Sequence, residues 1–336
     1  MNKAFISGIL GQDGSYLAGL LLTKGYKVYG SDIKGATDWR HRELGIKGKI
    51  EKIYIDIAGF EKIKKIFSFI MPDEVYNLGS QSFVLDSFYS PLTTFERDAM
   101  ETARLLEAIR QVNPSIRFFQ ASSALIFGKN GPGPDGAGLY LPESPYACAK
   151  LYSHWLTATY RRIYGMFACS GILFNHESPL RSEQFVTRKI SIAVAEIKLG
   201  LRSKLTVGNL DSKRDWGYAL DYVEAMRRML RQKEPRDYVL ATGKIRSVRQ
   251  FIEEAFKNMG CRIVWRGRGL NEKGLDADTG RLLVDISAKY YRRSDEKSLT
   301  GNPSQAEKIL GWKPQVDFKK LVSIMVHADI KRLKCK

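Results

Sequence analysis

The first thirty-two residues limit the fold more than any other part of the chain. The apolar run Ala4-Phe5-Ile6-Ser7 leads into Gly8-Ile9-Leu10-Gly11-Gln12-Asp13-Gly14. An amphipathic segment from Ser15 to Lys24 follows, and then a second strand-like run from Lys27 to Asp32. Strand, glycine turn, helix and strand are the parts of a dinucleotide-binding βαβ unit. One glycine permits the tight turn, one lets backbone approach a pyrophosphate, and one lets helix pack closely on strand. The anion rests on the N–H groups at the helix start. Asp32 ends the second strand, where a carboxylate bonds the adenosine ribose hydroxyls. A carboxylate there repels a 2′-phosphate, so Asp32 favours NAD. Lys34, Arg40 and Arg42 follow closely and are read either as phosphate receivers, which keeps NADP in view, or as solvated surface charge.

Beyond this unit, strand-like and helix-like segments alternate through the first half, the pattern of a parallel sheet covered on both faces. Ile53 to Asp56 reads as a third strand, after which Asp56 and Ile57 are placed to meet adenine. Phe60 to Ile70 has helical spacing. Glu74 to Leu78 reads as a buried fourth strand opening into Gly79-Ser80-Gln81-Ser82. A long helix is expected from about Thr93 to Gln111, with Ala99, Thr102, Leu105, Leu106 and Ile109 at three- and four-residue intervals. Arg117 to Ala121 is the fifth strand. Asn130 to Gly138 is punctuated by Gly and Pro at almost every position and reads as a loop, either a lid beside the site or a surface insertion. A helix follows Pro145 to about Tyr164, then a strand from Ala168 to Phe174. After Asn175 the regularity loosens. The expected fold is therefore α/β: a Rossmann-type doubly wound parallel sheet over residues 1–174, with a smaller mixed substrate region over 175–336. Some segments of that second region are expected to return to the first.

Two residue sets carry the chemistry. Pro145 suits the first turn of a helix, so Tyr146 and Lys150 fall four residues apart on one face. A phenol is a poor base at neutral pH; a neighbouring ammonium and a nicotinamide cation favour its phenolate form, able to take the proton of a sugar hydroxyl. Ser122 and Ser123 stand at the carboxyl edge of the sheet, where doubly wound folds bind ligands. One is expected to cap a turn and the other, Ser123, to orient the same substrate oxygen.

Charge and cysteines narrow the class. The 336 residues carry 54 basic and 36 acidic side chains, a net charge of +18. Residues 1–170 hold 20 basic and 16 acidic side chains, so the excess sits mostly in the second half. Such an excess suits an anionic ligand. No aromatic-interleaved basic helix or RNA-binding motif accompanies it, and nucleic acid is not the expected partner. Cys148, Cys169, Cys261 and Cys335 lack metal or disulfide spacing, and no metal is expected. No run of eighteen apolar residues occurs and the N-terminus enters a strand at once, so no membrane partner is expected and the chain reads as cytoplasmic.

With these residues in place, the chain resembles the extended short-chain dehydrogenase/reductases, specifically the GDP-mannose 4,6-dehydratase family. The likeness rests on Gly-Gln-Asp-Gly-Ser-Tyr at 11–16, Tyr-Asn-Leu-Gly-Ser-Gln-Ser at 76–82 and Ser-Pro-Tyr-Ala-Cys-Ala-Lys-Leu-Tyr at 144–152. Further on it rests on Asn-His-Glu-Ser-Pro at 175–179, Phe-Val-Thr-Arg-Lys-Ile at 185–190, Gly-Asn-Leu-Asp-Ser-Lys-Arg-Asp-Trp-Gly at 208–217 and Leu-Gly-Trp-Lys-Pro at 310–314. The resemblance implies a cofactor held by Gly8, Gly11, Gln12, Asp13, Gly14, Asp56, Leu78, Gly79, Ser80, Gln81, Ser82, Tyr146, Lys150, His176 and Arg181. It implies a GDP-sugar held by Asn175, Lys189, Arg214 and Arg292, cationic side chains being the usual partners of a diphosphate. It also implies a homo-oligomer.

One departure bears on the reaction. The family reads Ser-Thr-Ser-Glu-Leu-Tyr-Gly after its fifth strand, whereas this chain reads Ser122-Ser123-Ala124-Leu125-Ile126-Phe127-Gly128. Leu125 stands where the resemblance expects a glutamate that removes the 5-proton and helps expel water from the 6-position. Leucine can do neither. Hydride transfer needs nicotinamide, Tyr146, Lys150 and Ser123, all present. The expected activity is thus redox at the sugar 4-position, as a 4-epimerase, 4-dehydrogenase or 4-ketoreductase. The alternatives are a dehydratase in which Glu143 or Asp135 supplies the base, and a cofactor-binding regulator without turnover.

Overall fold

The computed structural model describes residues 1–53, 59–129, 131, 139–291 and 299–335. Asp56, Ile57, Asp135 and Arg292 lie outside the described residues. The chain divides into two compact units. The first comprises Met1–Phe174, Ala219–Ala241 and Gly301–Lys313; the second comprises Asn175–Tyr218, Thr242–Thr300 and Pro314–Lys336.

In chain order the first unit begins with β1 (Lys3–Ser7), α1 (Gln12–Thr23), β2 (Lys27–Ser31), α2 (Trp39–Glu43), β3 (Glu51–Lys52), α3 (Phe60–Ile70) and β4 (Glu74–Asn77). It continues through α4 (Val84–Tyr89), α5 (Pro91–Phe95), a π turn (Glu96–Met100), α6 (Glu101–Val112), β5 (Arg117–Ser123), a 3₁₀ turn (Ala124–Phe127), α7 (Pro145–Tyr164) and β6 (Ala168–Leu173). The second unit opens with β7 (Asn175–Glu177), α8 (Val186–Lys198), β8 (Leu205–Val207) and β9 (Lys213–Tyr218), before α9 (Ala219–Met229) and β10 (Tyr238–Leu240) rejoin the first. There follow β11 (Ile245–Ser247), α10 (Val248–Lys257), β12 (Ile263–Arg266), β13 (Lys273–Asp276) and β14 (Leu282–Ile286), then α11 (Ser304–Leu310) in the first unit and α12 (Phe318–Lys334) in the second.

The expected doubly wound sheet is present. Seven parallel strands run in the order β10-β6-β5-β4-β1-β2-β3. Chain order reverses between β1 and β4, the position at which such sheets open a ligand crevice beyond the carboxyl ends of their strands. One face is sealed by α3 and α6, whose Phe67, Leu105, Leu106 and Ile109 pack with Phe5 and Phe118 of the sheet. The rings of Phe5 and Phe67 meet edge to face at 5.2 Å. Each such side chain contributes roughly 1.5–3 kcal/mol by leaving water. In the second unit β11-β9-β7 and β12-β13-β14-β8 form two small mixed sheets, beside which α8, α10 and α12 bury Ile190, Val194, Phe251, Phe256, Leu321 and Met325.

Several boundaries differ from the sequence reading for local reasons. The first helix starts at Gln12 rather than Ser15 because Gly11, its N-cap, carries no capping side chain to mark the start. The long helix expected from Thr93 begins at Pro91 and is interrupted by the π turn. The fifth strand runs on to Ser123, so Ser122 and Ser123 belong to it. The described part of the third strand is Glu51–Lys52, which pairs with β2, and residues 54–56 of the expected strand Ile53 to Asp56 lie outside the described residues.

Candidate active site

The glycine turn is closed by contacts that side chains would obstruct. Gly8 has φ +70, and a Cβ there would lie 2.8 Å from Gly79 N. A Cβ on Gly14 would lie 2.2 Å from Gly8 O, so α1 packs on β1 through bare backbone. The 8–14 and 78–82 turns are thus stacked at the reversal point, with the N-terminus of α1 at one side. Close-set glycines and a helix start fit a diphosphate.

Asp32 follows β2 and is tied to this turn. Its Oδ2 accepts from Leu10 N at 2.7 Å and its Oδ1 from Ile33 N at 2.8 Å. Arg40 Nη1 donates to Leu10 O at 3.0 Å. Carboxylate and guanidinium therefore bracket one residue, Leu10, of the glycine turn. Each carboxylate oxygen keeps a second lone pair for a ribose hydroxyl. Across the cleft, Asp98 of the π turn holds the 80–81 backbone: Ser80 Oγ donates to Oδ2 at 2.8 Å and Gln81 N to Oδ1 at 2.9 Å. Gln81 Oε1 in turn accepts from Thr94 Oγ1 at 2.9 Å. Asp98 and Thr94 escaped the sequence reading, since each occupies an ordinary helical position.

At β5 and α7 the chemistry-bearing set comes together. Ser144 caps α7, its Oγ accepting from Ala147 N at 3.1 Å, and Pro145 sits in the first turn. Tyr146 is 8% and Lys150 2% exposed. Lys150 Nζ donates to Ala121 O at 3.1 Å and lies 5.7 Å from the centroid of the Tyr146 ring. A carbonyl of β5 therefore fixes the ammonium beside the phenol. The two serines divide as follows: Ser123 Oγ caps the 3₁₀ turn by accepting from Leu125 N at 3.2 Å, and Ser122 Oγ is buried with no hydrogen-bond partner among the described residues. The capping serine is thus Ser123, and as an acceptor it keeps its own O–H proton to donate. Leu125, on the turn that Ser123 caps, is 38% exposed. Glu143 is paired with Lys129 at 2.8 Å and largely exposed.

The predicted residues of the second unit form their own group. Asn175 and His176 of β7 pair in register with Trp216 and Gly217 of β9, two residues beyond Arg214. Arg181 lies 3.2 Å from the buried Glu177 and over the Phe185 ring; Glu177 also accepts from Thr187 Oγ1 at 2.6 Å. Lys189 Nζ is 5.2 Å from the Tyr290 ring centroid. Arg214 Nη1 donates to the carbonyl of Lys213 at 2.7 Å. The cysteines are free, and no metal-binding cluster occurs among the described residues. No described helix is long and apolar enough to cross a membrane.

The sheet order, the stacked glycine turns and the Ser-Tyr-Lys set define an NAD(P)-dependent short-chain dehydrogenase/reductase of the sugar-nucleotide type. More narrowly, the family model described as GDP-mannose 4,6 dehydratase matches residues 5–325, and the chain belongs to that family. It is 43% identical to the human GDP-mannose 4,6 dehydratase, covering 99% of this chain and 92% of that protein. With the GDP-mannose 4,6-dehydratase of Yersinia enterocolitica it shares 42%, covering 99% and 95%. Similar solved structures include RMD from Pseudomonas aeruginosa complexed with NADPH, with TM-score 0.78, 20% identity and 99% and 100% of the two chains covered. The dTDP-glucose 4,6-dehydratase of Bacillus anthracis in complex with NAD superposes with TM-score 0.81 at 16% identity, covering 99% and 98%. At such identities these likenesses speak for the fold.

Proposed function

We propose that this protein binds a GDP-sugar and exchanges hydride at the sugar 4-position with a nicotinamide dinucleotide, NAD by preference. The observation that carries the reading is the set Ser123, Tyr146 and Lys150 at the end of β5, intact beside an apolar Leu125. A bound nicotinamide supplies the hydride acceptor or donor. Tyr146 takes the 4-hydroxyl proton during oxidation and returns it during reduction. Lys150, held by Ala121 O, sets its amino group beside the phenol on the same face of α7. Ser123 donates its free O–H to the same sugar oxygen and fixes its position. In the second unit, Lys189 and Arg214, with Arg292, supply cationic contacts to the GDP diphosphate, and Asn175 contacts the sugar. His176 and Arg181 border the cofactor.

Family membership favours one second reading, a 4,6-dehydratase with a substitute base. Glu143 in its ion pair with Lys129 is poorly placed to serve. A purified sample incubated with GDP-mannose and related GDP-sugars separates the readings by product mass. A new sugar of unchanged mass, resolved chromatographically from the substrate, means epimerisation and a change of two daltons means net redox, either of which supports the proposal; a loss of eighteen daltons means dehydration and overturns the restriction to redox.

We also take the chain to self-associate. Phe88, Leu92, Phe95, Tyr152 and Trp155 are exposed, and Tyr152 and Trp155 line an apolar groove with Pro142, Cys148, Leu151 and Leu156. A second copy is the occupant the family resemblance implies for such a face.

A further inference from the structure

Glu101, the first residue of α6, has no role in the chemistry above, yet its carboxyl lies against the floor of the dinucleotide cleft. A Cβ on Gly79 would lie 2.8 Å from Glu101 Oε1, 3.3 Å from its Oε2 and 3.1 Å from Ser7 Oγ. The carboxyl thus lies beside the space that a side chain at 79 would enter, beneath the point where the 8–14 and 78–82 turns cross. The π turn just before it rotates the following helix by about one residue, near 100°, and so aims this side chain inward.

The surroundings suit a neutral carboxylic acid better than a carboxylate. Oε1 is enclosed and has no hydrogen-bond partner among the described residues. Ser7 Oγ donates its hydrogen to Asn77 Oδ1 at 2.6 Å and accepts from Gly79 N at 3.1 Å. With that hydrogen committed, Ser7 has only a lone pair left for Glu101, and a bond between them needs the proton on Glu101. Charged groups reach Glu101 from several elements: Asp98 of the π turn and Asp32 after β2 repel its anion, and Lys150 of α7 attracts it. Burial first, with those two carboxylates, pushes the Glu101 carboxyl up to about 7 against the Ser7 contact and Lys150.

Resting on the dinucleotide reading above, we infer that Glu101 is a proton-carrying member of the cofactor site: the ligand diphosphate is received over Gly8 and Gly79 with Glu101 neutral, so binding above neutrality takes up a proton. An ionised Glu101 would set a second negative charge beneath the diphosphate in a poorly solvated place, which disfavours the complex.

The probe is ADP-ribose, which carries the diphosphate but lacks the nicotinamide cation and so leaves the proton of Tyr146 out of the count. The full chain, freed of co-purified nucleotide, is titrated calorimetrically in HEPES and in Tris, whose ionisation heats differ. Linkage to a group near 7 predicts uptake of about 0.9 proton at pH 8 and about 0.1 at pH 6, with affinity about tenfold weaker at the higher pH. E101Q should bind with no uptake and a flat pH dependence, and E101A serves if that variant does not fold. Binding without uptake in the unaltered protein, or uptake that survives in E101Q, overturns the role of Glu101 alone. Failure of ADP-ribose, NAD and NADH to bind at any pH from 6 to 9 overturns the dinucleotide reading, and this inference with it.

Discussion

Ser123 Oγ accepts the backbone N–H of Leu125 at 3.2 Å, so the serine proposed to hold the sugar hydroxyl also fixes the backbone of the residue proposed to limit the reaction to redox. The bond runs to the amide, and the identity of the side chain at 125 leaves it in place. Leu125 is 38% exposed, so a carboxylate there would stay solvated and ionised.

Leu125→Glu should therefore fold normally and gain elimination. A positioned general acid–base group contributes about 10²–10⁴-fold. With GDP-mannose and NAD, the variant should release product eighteen daltons lighter at least about a hundredfold faster than the parent. Equal rates of water loss in the two proteins would show that some other side chain already supplies this chemistry.

Tyr146→Phe removes the proton carrier and leaves the glycine turns untouched. The rate of exchange between cofactor and sugar should fall by about 10²–10⁴, while NADH binding, followed by nicotinamide fluorescence, stays within about threefold. A variant that keeps its rate would remove Tyr146 from the mechanism, and a parent protein with no exchange on any GDP-sugar would leave the chain as a binding module.

Asp32 and Arg40 hold the N–H and the C=O of one residue, Leu10, and this makes cofactor choice adjustable. Asp32→Ser removes the charge that repels a 2′-phosphate, while Arg40 stays bonded to Leu10 O. The ratio of NADPH to NADH affinity should rise by at least about tenfold, or about 1.4 kcal/mol. The lost bond from Leu10 N should cost about 1 kcal/mol of stability. An unchanged ratio would place the 2′-position away from this residue.

The exposed aromatic face of α7 carries a simpler expectation. Trp155→Arg puts a charge into the apolar groove and should shift the light-scattering mass from a multiple of 38.1 kDa to that of one chain. A parent protein that already scatters as one chain would dispose of the self-association.

How much of this was readable beforehand depends on whether a residue announces itself through its sequence neighbours. The βαβ unit, α3 and the Tyr146–Lys150 spacing are local patterns, and each appears in the fold where periodicity puts it. Ser122 and Ser123 did not read as strand because buried hydroxyls break the apolar run that marks one; only the neighbouring strands β4 and β6 show that β5 continues. The return of 219–241 and 301–313 to the first unit was expected only in outline, since short strands such as β10 carry little periodic signal. Asp98, Thr94 and Glu101 were illegible. Each looks like an unremarked helical residue, and what matters about Glu101 is the missing side chain of Gly79, twenty-two positions earlier.

Glu101 also makes a prediction about the free protein. Its carboxyl is raised to about 7 by burial first, and the ordinary value is near 4.5. A carboxyl with a raised folded value contributes no penalty below the unfolded value; the folded state then loses stability as pH climbs from about 4.5 to 7 and keeps that loss above. The full shift corresponds to about 3 kcal/mol, and partial exposure of the residue reduces this to about 1–2 kcal/mol. E101Q cannot ionise, so it should melt about 2–4 °C above the parent at pH 8 and within about one degree of it at pH 4.5. Melting curves of the two nucleotide-free proteins across that range test the point. If the gap between them stays constant with pH, Glu101 does not titrate there, and the buried acid beneath Gly79 is either ionised or neutral throughout.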